Sequence, residues 1–302
     1  MKYILLPGFM LCFLAATGQQ KKQKPNRKGN DPERVAALQS LAAADTMSQS
    51  AWWPQIRPSD YLQNLRRNLE QPQQLNTGRS TNFCAFGAVS YTCLKNEPLR
   101  YVRCMLELYR NGRAQYRHIN LEPSEAIRQY AGKMMFQGDL DISPADQAWY
   151  LSLAHRFKGY LNFFNRRYDP GDENTMWAAT NLAKFNRMLR KLCKYKVYSR
   201  GSDLVRPRSR NLPAFLQEKL REGEVWLYLN NSVLRKKNHN RLQKWIPTHY
   251  VLLMDLLPGP NGDWVVRYWD GGYQTLRDVE LRQMKQIIYG ITWVRYKEES
   301  DE

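Results

Sequence analysis

The hydrophobic period changes once along this chain, and that change limits the folds open to it. From residue 31 to about residue 221 the apolar positions recur at helical spacing. From residue 225 they fall into short runs bounded by turn residues. Val225-Trp226-Leu227-Tyr228-Leu229 reads as a strand, residues 250–254 as a second and residues 264–269 as a third. The last two are joined by Leu257-Pro258-Gly259-Pro260-Asn261-Gly262-Asp263, a hairpin loop built from turn formers. Residues 276–289 read as a helix and residues 291–296 as a final strand. Helices first and antiparallel strands afterwards predict the α+β class. The chain shows no internal repeat.

The helical part carries clear start signals. Asp31-Pro32-Glu33 opens a helix with Val35, Leu38, Leu41 and Ala42 at its apolar positions. Ser59 caps a second helix over residues 59–70, with Tyr61, Leu62, Leu65 and Leu69 on one face. Residues 71–80 form a polar loop, and a helix over residues 83–94 follows, with small side chains at Ala85, Ala88 and Ser90 that let it lie close against a sheet. Ser124 opens another helix. Ser143-Pro144-Ala145-Asp146 starts one running to about residue 160, and residues 174–194 form a further helix striped by Trp177, Leu182, Phe185, Met188 and Leu189. A short helix closes at residues 216–221 before the Glu222-Gly223 turn.

Composition narrows the class. Hydrophobic residues make up 43% of 302 residues, enough to bury a large core and to exclude wholesale disorder. Five cysteines are too few for a disulfide-built miniprotein. Lys2, the apolar run of residues 3–16 and Ala16-Thr17-Gly18 read as a secretory signal peptide over residues 1–18, shorter than the about 20 apolar residues of a membrane span. Residues 19–30 read as a disordered basic leader, which leaves residues 31–302 as the folded domain. The chain is then exported, periplasmic or extracellular, and its formal charge of +18 suits anionic partners. No later segment is long and apolar enough to span a membrane. Cys84, Cys93, Cys104 and Cys193 with His118, His155, His239 and His249 show no ligand spacing, so no metal site and no cofactor are expected. In an exported protein, one disulfide among Cys93, Cys104 and Cys193 is open.

Three features carry chemistry. In Ser80-Thr81-Asn82-Phe83-Cys84-Ala85 a polar loop delivers a cysteine to a helix start, where the positive end of the helix dipole favours a thiolate nucleophile. In Thr248-His249-Tyr250-Val251 a histidine opens an apolar strand, where its imidazole can act as a base for a thiol. In Tyr268-Trp269-Asp270-Gly271-Gly272 an acid ends the partner strand, which in an antiparallel hairpin returns it beside the start of the first. Asp255 and Asp263 compete for that role but sit toward the hairpin end.

A cysteine on a helix start, a histidine opening a strand and an aspartate ending its partner resemble the papain-like cysteine peptidases, above all compact bacterial members similar to the bacteriocin-processing peptidases. Residues 216–226, a helix, a Gly turn and a strand, add to the likeness, which spans residues 82–88 and about 216–294. It implies a nucleophile helix packed on a C-terminal antiparallel sheet, with a helical insertion of about residues 110–210 outside the family pattern. It also implies that Cys84 is the nucleophile, His249 the general base and acid and Asp270 the group orienting the imidazole, together hydrolysing peptide bonds of a peptide or protein substrate through an acyl-enzyme. The Cys84 N–H and a side-chain amide would hold the oxyanion. The family's oxyanion Gln position is Gly78 here. Asn82 is the amide taken for that role, with Gln74 as the other candidate; the Gly that often follows the nucleophile is Ala85.

Two rivals remain. Asn82-Phe83-Cys84-Ala85, with Ser90, also resembles the amidase effectors of bacterial secretion systems, which would make peptidoglycan the substrate. A non-catalytic polyanion binder would use Lys191, Lys194, Lys196, Arg200, Arg206, Arg208 and Arg210, interleaved with Tyr195 and Tyr198; nucleic acid is the least favoured of these partners.

Overall fold

The computed structural model describes residues 31–78, 81–133, 142–157, 159–161, 167–193, 195–230, 247, 249–272 and 275–295. The expected signal peptide (1–18) and basic leader (19–30) lie outside these, as do Ser80, Lys194, Thr248 and Tyr296. The fold is mixed α+β. Among the described residues the helices are α1 (Asp31–Ala42), α2 (Pro58–Glu70), α3 (Cys84–Asn96), α4 (Pro98–Asn111), α5 (Glu125–Tyr130), α6 (Pro144–Phe157), α7 (Leu182–Cys193), α8 (Leu212–Glu222) and α9 (Leu281–Lys285). A small hairpin pairs β1 (Ala114–Tyr116) with β2 (Ile119–Leu121). The main sheet contains β3 (Lys196–Gly201), β4 (Val225–Leu229), β5 (His249–Pro258), β6 (Trp264–Asp270), β7 (Thr275–Glu280) and β8 (Ile288–Arg295). Its order is β3-β8-β4-β5-β6-β7, with every neighbouring pair antiparallel.

Alternation across this sheet explains why β4 is apolar at every position. Successive strand side chains point to opposite faces. Trp226 and Tyr228 of β4, Tyr250 and Leu252 of β5 and Trp269 of β6 join the core formed with α1 to α4, α6 and α7. Val225, Leu227 and Leu229 face the other way, onto Val251, Leu253, Ile291 and Trp293 and the helices α8 and α9. Both faces are covered, so β4 is wholly buried. The register sets Tyr228 against Tyr250 and Leu229 against His249, which fixes His249 at the start of β5. Among the described residues no helix is long and apolar enough to cross a membrane.

Several segments differ from the sequence reading. Residues 276–289 are not one helix. Thr275–Glu280 forms the edge strand β7, the short α9 follows, and β8 already begins at Ile288. Leu276 and Val279 match helical spacing, but pairing with β6 wins, helped by the Arg267–Asp278 ion pair across the two strands at 2.8 Å. The helix expected over residues 174–194 starts only at Leu182, where Asn181 Oδ1 accepts the Lys184 N–H at 2.9 Å as an N-cap. Trp177 therefore lies in irregular backbone. α6 stops at Phe157, and α2 begins at Pro58 with Arg57 rather than Ser59 at its cap. Val35 and Ala42 of α1 are exposed, so Ala37 and Leu41, with the partly buried Leu38, anchor that helix in the core. The stretch 110–210 is not purely helical, since it holds the β1–β2 hairpin and the edge strand β3.

α8 meets the sheet through Gly223. A Cβ there would lie 2.1 Å from the Val294 carbonyl oxygen of β8, a backbone atom that cannot swing aside. Gly223→Ala is expected to destabilise the protein by about 1–3 kcal/mol, the cost of overpacking. A lowered urea midpoint at unchanged m-value would record this, and an unchanged midpoint would contradict the close approach.

Candidate active site

α3 delivers Cys84 through a turn fixed by its own side chains. Phe83 is fully buried against Phe86 and Tyr150, so the residue before the thiol is pinned in the core. Its N–H donates to Thr81 Oγ1 at 3.3 Å, its carbonyl accepts the Gly87 N–H at 2.9 Å, and the helix starts there. The first backbone N–H groups of α3, that of Cys84 included, have no carbonyl of their own helix to bond.

His249 and Asp270 meet at the ends of neighbouring strands. His249 Nε2 lies 3.0 Å from Asp270 Oδ2, and both side chains are buried. The other carboxylate oxygen, Oδ1, accepts the Gly272 N–H at 3.1 Å, which fixes the acid's orientation. The Cys84 thiol stands in hydrogen-bonding relation to the same imidazole. With Nε2 held by Asp270, Nδ1 is the nitrogen left for the thiol. The structure thus brings Cys84, His249 and Asp270 together. The competing acids lie elsewhere: Asp255 pairs in register with Arg267 further along β5, and Asp263 closes the hairpin at the opposite end of β6.

Burial alone would pull the His249 pKa down. The Asp270 charge and hydrogen bond, with the Cys84 thiol alongside, outweigh it and push His249 up to about 9. The imidazole is consequently an imidazolium at neutral pH, the partner a thiolate requires. Among the described residues, no group of three or more His, Cys, Asp or Glu could hold a metal ion.

The loop before α3 is tied to the strand end that carries Asp270. Trp269 Nε1–H donates to Gln73 O at 2.9 Å, and the Thr77 N–H donates to Gly271 O at 3.2 Å. Asn76 Oδ1 accepts the Gly78 N–H at 2.9 Å within the loop. Thr77 is buried against α3, where only glycine at 87 leaves room: a Cβ on Gly87 would lie 2.1 Å from Thr77 Cγ2. Gly78 has φ +73° and packs against Ile142, so a Gln at this position would be strained.

Asn82 faces the segment after the β1–β2 hairpin and α6. Its N–H donates to Glu173 O at 2.7 Å and its Nδ2 to Thr175 O at 2.8 Å. Glu173 is itself buried, with its carboxylate accepting from the Tyr168 hydroxyl and from the Gly171 N–H at 2.9 Å. The sequence reading missed this segment, residues 168–177, as a wall of the site. Asp169-Pro170-Gly171-Asp172 signalled a turn, but nothing signalled that its carbonyls meet Asn82. All four cysteines among the described residues are free thiols, and Cys93 Sγ and Cys193 Sγ lie 3.9 Å apart between α3 and α7.

The His249 ion pair sets a pH window. The folded-state pKa of about 9 exceeds the ordinary 6.5, so the pair's contribution to stability is fully present below about pH 6.5. It is lost as pH rises through about 9. An NMR titration of the His249 imidazole should give a midpoint near 9 in the parent and a clearly lower one in Asp270→Asn, where burial is opposed by the Cys84 thiol alone. A midpoint unmoved by that substitution would contradict this electrostatic account.

No family model, no curated protein and no solved structure matches the chain.

Proposed function

We propose that the protein is a papain-like cysteine hydrolase acting on amide bonds, with Cys84 as nucleophile, His249 as acid and base and Asp270 holding the imidazole. The observation that carries this reading is the 3.0 Å contact of His249 Nε2 with Asp270 Oδ2, with the Cys84 thiol on the same ring. Three side chains distant in sequence share one buried point, in the order thiol, imidazole, carboxylate that thiol hydrolysis requires. The papain-like reading adds that the nucleophile opens a helix packed on an antiparallel sheet, the imidazole opens a strand and the acid ends its neighbour.

The chemistry follows from these groups. The Cys84 thiolate attacks the substrate carbonyl carbon, and the negative charge passes to the carbonyl oxygen. The Cys84 N–H at the start of α3 donates to that oxygen. The Asn82 carboxamide, which gives one N–H to Thr175 O, supplies the other N–H as second donor. The His249 imidazolium gives its proton to the leaving amine as the C–N bond breaks, leaving a thioester on Cys84. His249 then takes a proton from water, the hydroxide attacks the thioester, and the acid product leaves as the thiolate and imidazolium are restored. Asp270 keeps Nδ1 aimed at the sulfur throughout. The reading places the enzyme outside the cytoplasm, after removal of residues 1–18.

The test sets an unfolded protein substrate beside purified peptidoglycan sacculi and follows the release of new amines from each. Turnover of the first identifies a peptidase, and of the second a wall amidase on the same machinery. Cys84→Ala is expected to reduce either rate to background, and Asp270→Asn to lower kcat by less than loss of the thiol does. Hydrolysis undiminished in Cys84→Ala would overturn the proposal.

A further inference from the structure

At the end of the edge strand β3 the chain builds a concave, strongly cationic site on a different part of the sheet from Cys84. An open pocket of about 420 Å³ is lined by Arg200, Ser202, Val205, Arg206, Pro207 and Arg208. Two of its arginines are positioned by aromatic rings rather than by acids. The Arg200 guanidinium carbon lies 4.4 Å from the Phe215 ring centre, and that of Arg206 lies 5.1 Å from Tyr289. A guanidinium stacked on a ring keeps its in-plane N–H groups free for a planar or tetrahedral anion. Among the described residues none of Arg200, Arg206 and Arg208 has a carboxylate partner.

The acid within the segment is turned away from the pocket. Asp203 Oδ1 accepts from the Leu182 N–H at 3.2 Å and lies 2.8 Å from the Tyr160 hydroxyl and 2.9 Å from that of Tyr228, which ties the loop to α7 and β4. Ser202 Oγ accepts the Leu204 and Val205 N–H groups at 3.3 and 2.9 Å, and its own proton remains for donation. The loop is therefore held in shape, and its tip shows two aliphatic side chains to solvent: Leu204 is 85% exposed and Val205 62%.

Cations alone would suit any polyanion. Two adjacent exposed aliphatic residues on a tethered tip, beside arginines without a carboxylate partner, suit the interface of a charged bilayer, where apolar side chains enter the acyl boundary and arginines meet phosphate. We propose that this site binds the phosphate headgroups of an anionic phospholipid bilayer, with Leu204 and Val205 entering the interface and Arg200, Arg206 and Arg208 holding the phosphates. The site is independent of the hydrolase reading.

The test is co-sedimentation of the full chain with vesicles of phosphatidylcholine alone or with phosphatidylglycerol added. Binding is expected only to the anionic vesicles. It should fall about tenfold or more in Leu204→Asp/Val205→Asp and equally in Arg206→Glu/Arg208→Glu, as expected when two membrane-facing groups are lost. These side chains are exposed, so both variants should keep the parent's circular dichroism and His249 titration. Absence of binding to anionic vesicles would overturn the proposal. Binding that survives Leu204→Asp/Val205→Asp and is competed by duplex DNA would overturn it in favour of a general polyanion surface. Titration with inorganic phosphate covers the remaining source: saturation in the parent, without vesicle binding, would assign the pocket to a soluble phosphate instead.

Discussion

A buried carboxylate must be paired or it costs the fold several kcal/mol, and the pairing of Asp270 is what the rest of this site depends on. One oxygen faces His249 Nε2 and the other accepts the Gly272 N–H, so the acid is satisfied on both sides while remaining buried. The arrangement needs the end of β6 beside the start of β5, which the antiparallel register provides. It also needs the turn after Asp270 to stay closed, and the loop before α3 braces it through Thr77 and Gln73. The same loop leads into Phe83 and Cys84. Acid, imidazole and thiol are thus positioned by one connected set of hydrogen bonds.

The sheet makes this possible because it is covered on both faces. Trp226, Tyr228, Tyr250 and Trp269 lie on the side of α3, where Tyr91 packs on Trp269 with ring centres 4.8 Å apart. Phe185 of α7 stacks on Tyr250 at 4.2 Å, next to His249 in sequence. α8 and α9 close the opposite face through Val225, Leu227 and Leu229. His249 is buried at the start of β5, so the charge of Asp270 acts on its imidazole with little screening by water.

The parts of this architecture readable from sequence were those whose local signal and tertiary role agree. Val225 to Leu229 is apolar throughout because both faces are covered, and its run of branched and aromatic residues leaves no helical alternative. Asp270 could be preferred over Asp255 and Asp263 from hairpin geometry alone, since only the end of the second strand returns to the start of the first. What escaped was set by distant partners. β7 is an edge strand that carries Arg277 on one face and Asp278 and Glu280 on the other, and its sparse apolar residues fit a helix equally well until β6 is placed beside it. Residues 175–179 have helical composition, yet their backbone is drawn into the wall that meets Asn82. The two aliphatic residues at 204 and 205 gave no periodic signal, because their environment is solvent rather than core.

The central claim is that Cys84 and His249 form a reactive pair in the folded protein. Its most direct test is a limiting reaction with iodoacetamide near pH ~6, where an ordinary thiol is almost wholly protonated and inert, followed by mass-spectrometric mapping of Cys84, Cys93, Cys104 and Cys193. The account predicts fast alkylation of Cys84 alone, abolished in His249→Ala. Slow labelling of Cys84 at the rate of the other three, or fast labelling that survives loss of His249, would contradict it.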